Sequence, residues 1–174
     1  AHGAPTIAAL RAGKHVLCEK PLEITTERID EMLATAKAAG KILGAVFQSR
    51  FGQGARTVRQ AVEQGRFGRL TLCSAYIKWW RTQEYYDSGA WRGTWELDGG
   101  GALMNQGVHA IDLLQWFAGM PTEVTAFTAT IAHERIAVED TAAAALRYAN
   151  GALGVIEGAT STYPGWAKRI EING

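Results

Sequence analysis

The segment 98–112, DGGGALMNQGVHAID, carries the side chains best suited to proton chemistry. On a helix predicted over 102–118, Asn105, His109 and Asp112 fall within roughly 60° of one another. Apart from this stripe the helix is apolar nearly all round, which predicts burial, and buried polar side chains need partners. Asp112 comes one turn after His109, where its carboxylate can fix the imidazole tautomer. These three residues, the polar stripe of the helix, can be polar side chains that are hydrogen-bonded inside the core, or they can form a functional site. Three polar residues on one face favour a functional site.

A second reactive side chain follows the short apolar run HVLC at 15–18, which predicts a buried strand. Glu19, Lys20 and Pro21 come directly after this run. Ligands of open parallel sheets bind beyond the carboxyl ends of the strands, and a lysine there can act in proton transfer. The same tripeptide also fits a solvated strand end, so it is weak evidence by itself.

The glycines of segment 98–112 do not form a dinucleotide loop. That fingerprint is GxGxxG between a strand and a helix. Gly99 and Gly101 supply its first two positions, but Met104 occupies the third. No GxxxxGK[ST] occurs either, so the phosphate loop of any bound nucleotide is expected outside these 174 residues. We expect the glycines to let backbone and substrate approach closely at the start of the helix.

The elements that must position these residues change character along the chain. Up to residue 50, apolar spacing predicts helix 4–12, strand 15–18, a helix ending near 39 and strand 42–47. This α-β-α-β order is typical of a parallel, doubly wound sheet.

Beyond residue 50 the pattern predicts an α+β domain with an antiparallel sheet. Its elements are helix 54–64, strand 68–81, an aromatic-rich loop over 83–101, helix 102–118 and Thr/Val/Ala-rich strands over 122–163. Asn150-Gly151 predicts a type I′ hairpin turn. The chain therefore divides into an α/β part, 1–50, and an α+β part, 51–174. It is expected to be a fragment of a longer protein, truncated at its C-terminus.

Composition narrows the classes of partner. The net charge of +1 with 20% charged residues gives no argument for nucleic acid or an anionic membrane surface. No apolar run reaches the length of about 18 residues that spans a bilayer. Cys18 and Cys73 form no CxxC or Cys/His cluster, so we expect no metal site and reduced thiols in a cytoplasmic protein.

Taken together, AGKHVLCEKPL, VFQSRF and WRGTW…DGGGALMNQGVHAIDLLQWFAG resemble the Gfo/Idh/MocA family of NAD(P)-dependent sugar oxidoreductases. The resemblance runs over essentially the whole chain. It implies the C-terminal part of a Rossmann domain over 1–50, lacking its GxGxxG portion. It also implies an α/β domain with an open, largely antiparallel sheet that often mediates homo-oligomers.

The resemblance also implies roles for residues. Lys20 would contact the substrate hydroxyl and the nicotinamide ribose, with Glu19 and Pro21 beside it, and His109 would be the acid/base. The alternative is the reversed assignment, with Lys20 as the acid/base. Many members carry Asp where this chain has Asn105, which would orient substrate instead.

Other residues of the resemblance lie at the cofactor and substrate boundaries. Gln48 and Arg50 would line the boundary between cofactor and substrate, and Asp112 would face the substrate. NQGVH is similar to the branch acting on UDP-linked N-acetylhexosamine uronates.

The loop residues Trp91 and Arg92 allow two interpretations. They can be packing anchors, or the planar guanidinium can bind a substrate carboxylate or phosphate. The predicted function is hydride transfer between a sugar or nucleotide-sugar hydroxyl carbon and NAD or NADP. Two alternatives are an NAD-dependent glycosidase on the same fold and a non-catalytic sugar or nucleotide sensor.

Overall fold

The computed structural model describes residues 2–174, and its first part is a two-stranded parallel sheet with two helices. In chain order the elements are α1 (Gly3–Arg11), β1 (Val16–Cys18), α2 (Thr26–Ala39) and β2 (Leu43–Ala45). β1 and β2 pair in parallel. The predicted α-β-α-β order is confirmed, with strands shorter than the apolar runs.

Capping residues explain where α2 begins and ends. The Thr25 hydroxyl accepts a hydrogen bond from the Arg28 backbone N–H at 3.4 Å. Gly40 ends the helix with a φ of +61°, which glycine adopts without steric cost. Cys18 of β1 and Met32 of α2 share one buried cluster with α1. This packing fixes the end of β1, from which Glu19-Lys20-Pro21 leaves.

The second part is a five-stranded sheet with helices on one face. Its elements are α3 (Gln53–Glu63), β3 (Leu72–Lys78), α4 (Gln83–Asp87), α5 (Val108–Ala118), β4 (Pro121–Ala129), β5 (Thr141–Tyr148), β6 (Leu153–Ala159) and β7 (Arg169–Asn173). The strand order is β4-β5-β6-β3-β7. Three neighbouring pairs are antiparallel, and β3 with β6 is parallel. The open, largely antiparallel sheet is thus confirmed.

The helix predicted over 102–118 is divided in the structure. Residues Ala102–Gly107 form a π-helix, and the regular helix α5 starts at Val108. Ala110 and Leu114 of α5 belong to one buried cluster with Ile77 of β3. A π-helical turn inside a longer helix is frequent at functional sites. The apolar face thus anchors the helix on the sheet while its first turns carry the polar stripe.

The hairpin between β5 and β6 corrects the turn prediction. A type I′ turn needs a positive φ at both central residues, and only Gly151, at +87°, has one. Gly151 N–H donates to the Tyr148 carbonyl at 2.9 Å, and Tyr148 N–H donates to the Ala152 carbonyl at 2.9 Å. Asn150 instead accepts from the Ala152 N–H through its side chain at 3.0 Å. The connection is therefore a three-residue loop with glycine in the left-handed position.

The segment predicted as a loop over 83–101 is partly helical. It begins with α4, whose first turn is capped by the Thr82 hydroxyl accepting from the Tyr85 N–H at 3.4 Å. Tyr86 of this helix is buried, and its hydroxyl lies 2.7 Å from that of Thr160. The aromatic side chains of the segment therefore anchor it to the end of β6.

Two kinds of feature are absent from residues 2–174. No helix among them is both long enough and apolar enough to cross a bilayer. No group of three or more His, Cys, Asp or Glu side chains there is arranged to hold a metal ion.

Candidate active site

The loops that follow β1 and β2 leave the same edge of the first sheet, because these strands are parallel. Glu19, Lys20 and Pro21 follow β1, and Gln48 and Arg50 lie in a 3₁₀ turn after β2. The five residues predicted to contact the cofactor therefore leave from the carboxyl edge of this sheet, where nucleotides bind in open α/β folds.

Lys20 reaches from this edge to the π-helix of the second part. Its Nζ donates a hydrogen bond to the backbone carbonyl of Asn105 at 3.1 Å, across 85 positions of sequence. The lysine is therefore brought against the backbone at the start of the helix that carries Asn105, His109 and Asp112.

A cleft of about 370 Å³ opens beside this contact. Its lining residues are His2, Lys20, Pro21, Glu23, Ile24, Trp91, Leu97, Asp98 and Asn105. The lining combines a cation, acidic groups, an amide and an indole. Such a mixture suits a polar ligand with an apolar face, for example a sugar ring.

Asp98 is a cleft residue that the sequence analysis missed. Its side chain accepts hydrogen bonds from the Asn105 Nδ2 at 2.8 Å and from the Gly93 N–H at 3.0 Å. The residue is 7% exposed. Burial raises the pKa of Asp98. The two hydrogen bonds, together with the positive charges of nearby Arg92 and Lys20, oppose this increase only in part. The available signal was an acidic residue directly before the glycine run.

His109 is partly buried, with an unusual ring environment. Its Nδ1 is inaccessible to solvent and has no hydrogen-bond partner among residues 2–174. Phe47 meets the ring edge-on, with centroids 6.5 Å apart. Burial lowers the pKa of His109, and Lys20 and Lys168 lower it further. Both effects favour the neutral form of the imidazole.

The expected contact of Asp112 with His109 is absent. The Asp112 carboxylate instead accepts two hydrogen bonds from Arg50, from Nε at 2.8 Å and from Nη2 at 2.5 Å. The partner lies 62 positions away, so helical spacing could not reveal it. This bidentate pair ties the turn after β2 to α5. It also means that the guanidinium of Arg50 is already engaged by a carboxylate.

The glycine run serves backbone packing at the start of the π-helix. A Cβ on Gly101 would lie 1.8 Å from the backbone oxygen of Glu139, so only glycine fits there. The Glu139 side chain accepts from the Gly101 N–H at 3.0 Å and from the Leu103 N–H at 2.9 Å. These are donors that a phosphate loop would offer to its ligand. The rejection of 98–112 as a phosphate loop thus has a structural reason.

Arg92 is clamped between two aromatic rings. Its Cζ lies 4.1 Å from the ring centroid of Tyr85 and 4.5 Å from that of Trp91. Its Nε is inaccessible to solvent and unpaired within the described residues 2–174. Trp91 is 42% exposed and lines the cleft. The guanidinium is therefore held rigidly next to the cleft with unused hydrogen-bond donors.

A partial parallel sheet of Rossmann type joined to an open mixed sheet, with the strand-exit lysine bonded to the helix that carries His109, is an architecture of two-domain dinucleotide-binding proteins. Residues 1–47 match the oxidoreductase family with an NAD-binding Rossmann fold, and residues 55–174 match the GFO/IDH/MocA C-terminal domain. The chain belongs to the Gfo/Idh/MocA family.

The solved structures that resemble this chain include a dehydrogenase in complex with NADH and UDP-GlcNAcA. The chain is similar to the WlbA dehydrogenase of Bordetella pertussis, solved with NADH and UDP-GlcNAcA, with 44% identity and a TM-score of 0.94. That match covers 99% of this chain and 53% of the other.

The chain is also similar to a reductase and a dehydrogenase among curated proteins. The 1,5-anhydro-D-fructose reductase of Ensifer adhaerens is 32% identical over 92% of this chain and 48% of its own length. The myo-inositol 2-dehydrogenase of Thermotoga maritima is 30% identical over 99% and 51%. The chain thus spans about half the length of these relatives.

Proposed function

We propose that the protein is an oxidoreductase that transfers a hydride between a hydroxyl carbon of a sugar or nucleotide sugar and NAD or NADP. The observation that carries this proposal is the Lys20–Asn105 contact, which joins the nucleotide-binding edge of the first sheet to the helix of His109. Relatives that are dehydrogenases and reductases support it.

The side chains at the carboxyl edge of the first sheet fit the nicotinamide end of a dinucleotide. Lys20 offers an ammonium donor and Gln48 an amide, and His109 on α5 adds a buried Nδ1 that has no partner among residues 2–174. Glu19, Pro21 and Arg50 complete the predicted set of cofactor contacts. When bound, the nicotinamide supplies the two-electron acceptor that a carbinol oxidation requires.

Lys20 and His109 supply the acid/base chemistry in this proposal. The ammonium of Lys20 holds the substrate oxygen and stabilises negative charge that develops on it. The neutral imidazole of His109 accepts the hydroxyl proton, because burial and two lysines keep its pKa low. Asn105 orients substrate from the cleft in this proposal, whereas the carboxylate of Asp112 is engaged by Arg50 and positions the turn after β2 instead of facing the substrate.

Trp91 and Arg92 extend the proposal to the class of substrate. An indole that lines the cleft can cover the apolar face of a sugar ring. A guanidinium with unused donors next to it suits a carboxylate, which it can bind in a bidentate manner. The related WlbA dehydrogenase was solved with UDP-GlcNAcA, so we propose a UDP-linked sugar acid as the substrate.

The test uses the full-length protein with a UDP-linked N-acetylated sugar acid and either NAD⁺ or NADP⁺. We expect reduced nicotinamide to accumulate in proportion to oxidised sugar. Arg92→Gln should lower kcat/KM for the acid about tenfold or more and leave the matching neutral UDP-sugar unchanged. Arg135→Gln, on an exposed pair with Asp87, is the matched control.

Three other results would contradict the proposal in different ways. Turnover of an aryl glycoside without net reduction of cofactor would favour the NAD-dependent glycosidase. Tight cofactor binding without turnover of any sugar would favour the sensor. An equal loss on acidic and neutral sugars in Arg92→Gln would move that residue's role to the diphosphate.

We further propose that copies of the protein associate through the open face of the second sheet. Leu72, Phe127 and Leu153 share this face and are 44%, 83% and 53% exposed. Apolar exposure of this size on a sheet favours burial against another surface. Phe127→Glu should lower the mass measured by light scattering, and an unchanged mass would exclude this face. We also propose a cytoplasmic location, which suits the two buried free thiols.

A further inference from the structure

Three residues of the cleft form a chain of hydrogen bonds. Asp98 accepts from the side-chain amide of Asn105 at 2.8 Å, and the backbone carbonyl of Asn105 accepts from Lys20 Nζ at 3.1 Å. All three line the same cleft. His109 lies outside this lining. Of the two acidic residues in the lining, Glu23 accepts from the backbone N–H groups of Gly3 and Ile24, and Asp98 accepts from Asn105.

The carboxylate of Asp98 is buried but accepts few hydrogen bonds. An ionised carboxylate offers roughly four acceptor sites, and Asp98 uses two of them, for Asn105 and Gly93. The residue is 7% exposed, so water can supply little compensation. A buried carboxylate with so few hydrogen-bond donors contributes little to the stability of the fold. Buried carboxylates whose pKa is shifted in this manner cluster at functional sites.

Two cations oppose the effect of this burial. Arg92 and Lys20 each lower the pKa of Asp98, which burial raises. The electrostatic coupling is mutual, so the carboxylate also attracts the ammonium of Lys20. Asp98 therefore acts on Lys20 in two ways. Its negative charge attracts the ammonium, and its hydrogen bond to the Asn105 side chain positions the Asn105 carbonyl that binds Nζ.

Resting on the proposed oxidation, we infer that Asp98 is a positioning residue that holds Lys20 in place through Asn105. The carboxylate fixes the first turns of the π-helix, and the carbonyl of Asn105 then fixes the ammonium. No bond is broken in this role. Lys20 is kept where it can meet the substrate oxygen, and the carboxylate balances its charge before substrate enters.

The hydrogen bonds suggest a test by exchange of two side chains. In Asp98→Asn, the new amide has one oxygen for two donors, the Gly93 N–H and the Asn105 amide, so one donor loses its acceptor. In the double variant Asp98→Asn with Asn105→Asp, the amide oxygen accepts from Gly93 and the amide nitrogen donates to the new carboxylate. Both hydrogen bonds and the charge beside Lys20 are thereby restored.

The experiment measures Lys20 directly and then measures turnover. In the full-length protein without substrate, the rate of reductive methylation of Lys20 is followed by peptide mass spectrometry. We expect methylation to be several-fold faster in Asp98→Asn and to return to the wild-type rate in the exchanged double variant. Asp87→Asn, which changes an exposed carboxylate in the same way, should leave the rate unchanged.

Turnover should follow the same order. We expect Asp98→Asn to lower kcat about 10²-fold with little change in KM, because a displacement of about 1 Å can reduce rates this much. The double variant should recover most of the loss. Wild-type rates of methylation and turnover in Asp98→Asn would overturn the inference. A loss of melting temperature without faster methylation would also overturn it, in favour of a purely structural carboxylate.

The two proposals fail differently in this design. If the wild-type protein oxidises no nucleotide sugar, the proposed function fails, and the methylation rates still decide whether Asp98 holds Lys20. If turnover is found but the exchange does not rescue Lys20 protection, the positioning role fails and the proposed function stands.

Discussion

Asp98 and Asp140 are both buried carboxylates, but their pKa values are shifted in opposite directions. Burial raises the pKa of both, but Asp140 ends with a lowered value. Asp140 accepts from the backbone N–H groups of three consecutive residues, from the His133 ring and from Thr141, all within 3.0 Å. Asp98 has two such donors. The number of donors decides whether a buried carboxylate supports the fold or is left available to a site.

His133, which is buried, and His109, which is partly buried, show the same contrast in the second part. The ring nitrogens of His133 lie 3.0 Å from the Asp140 carboxylate and 2.8 Å from the carbonyl of Arg81. His109 has a buried Nδ1 without a partner among the residues described. The Asp140 cluster, meaning Asp140 with His133 and Thr141, is fully hydrogen-bonded, whereas the unsatisfied groups near Lys20 belong to the site that we propose.

The largest expected effect separates the two histidines by activity. In the full-length protein, Lys20→Met and His109→Gln should each lower kcat about 10²-fold or more, since each removes one part of the acid/base pair. His133→Gln should leave kcat of the folded fraction unchanged. Initial rates of cofactor reduction measure this, with Lys37→Met on the exposed face of α2 as the control. Near-normal rates in the first two variants would break the comparison.

The next effect separates the two aspartates by stability. Asp140→Asn removes acceptors from several buried donors and should lower the free energy of unfolding by about 3 kcal/mol. Asp98→Asn should change it much less, because fewer hydrogen bonds are lost. Urea unfolding followed by circular dichroism gives both values. Equal losses would mean that Asp98 is as structural as Asp140.

The pH dependence of stability should have opposite signs for these aspartates. Asp140 stabilises the fold above the ordinary aspartate pKa of about 3.9, and this contribution is lost as pH falls through its lowered value. The raised pKa of Asp98 makes the fold less stable as pH rises from about 3.9 through that higher value. Unfolding free energies at several acidic pH values should show each slope disappear in the corresponding Asn variant.

The smallest effect concerns His109 alone. Its pKa is lowered in the folded protein, so the unfolded chain binds more protons just below pH 6.5, the ordinary value for histidine. Stability should therefore fall slightly as pH drops from about 6.5 to the lowered pKa. His109→Gln should remove this slope. A slope of the reverse sign would indicate that His109 gains a proton on folding.

The sequence alone determined the order of the elements and the two motifs that matter most. Periodicity and caps predicted the α-β-α-β start and the long helix, because these signals are local. Lys20 and His109 stood out because of the residues beside them in the chain. The prediction failed where local signals mislead, as at Asn150-Gly151, whose sequence permits a two-residue turn that the strand register does not use.

The tertiary structure decided which polar groups are paired. Asp112 pairs with Arg50, 62 positions away, and not with His109. Lys20 donates to the carbonyl of Asn105, 85 positions away. Asp98 became a candidate only when its burial and its few donors were known. Hydrogen bonding and desolvation depend on neighbours that only folding brings together, so no spacing rule could distinguish this carboxylate from Asp140.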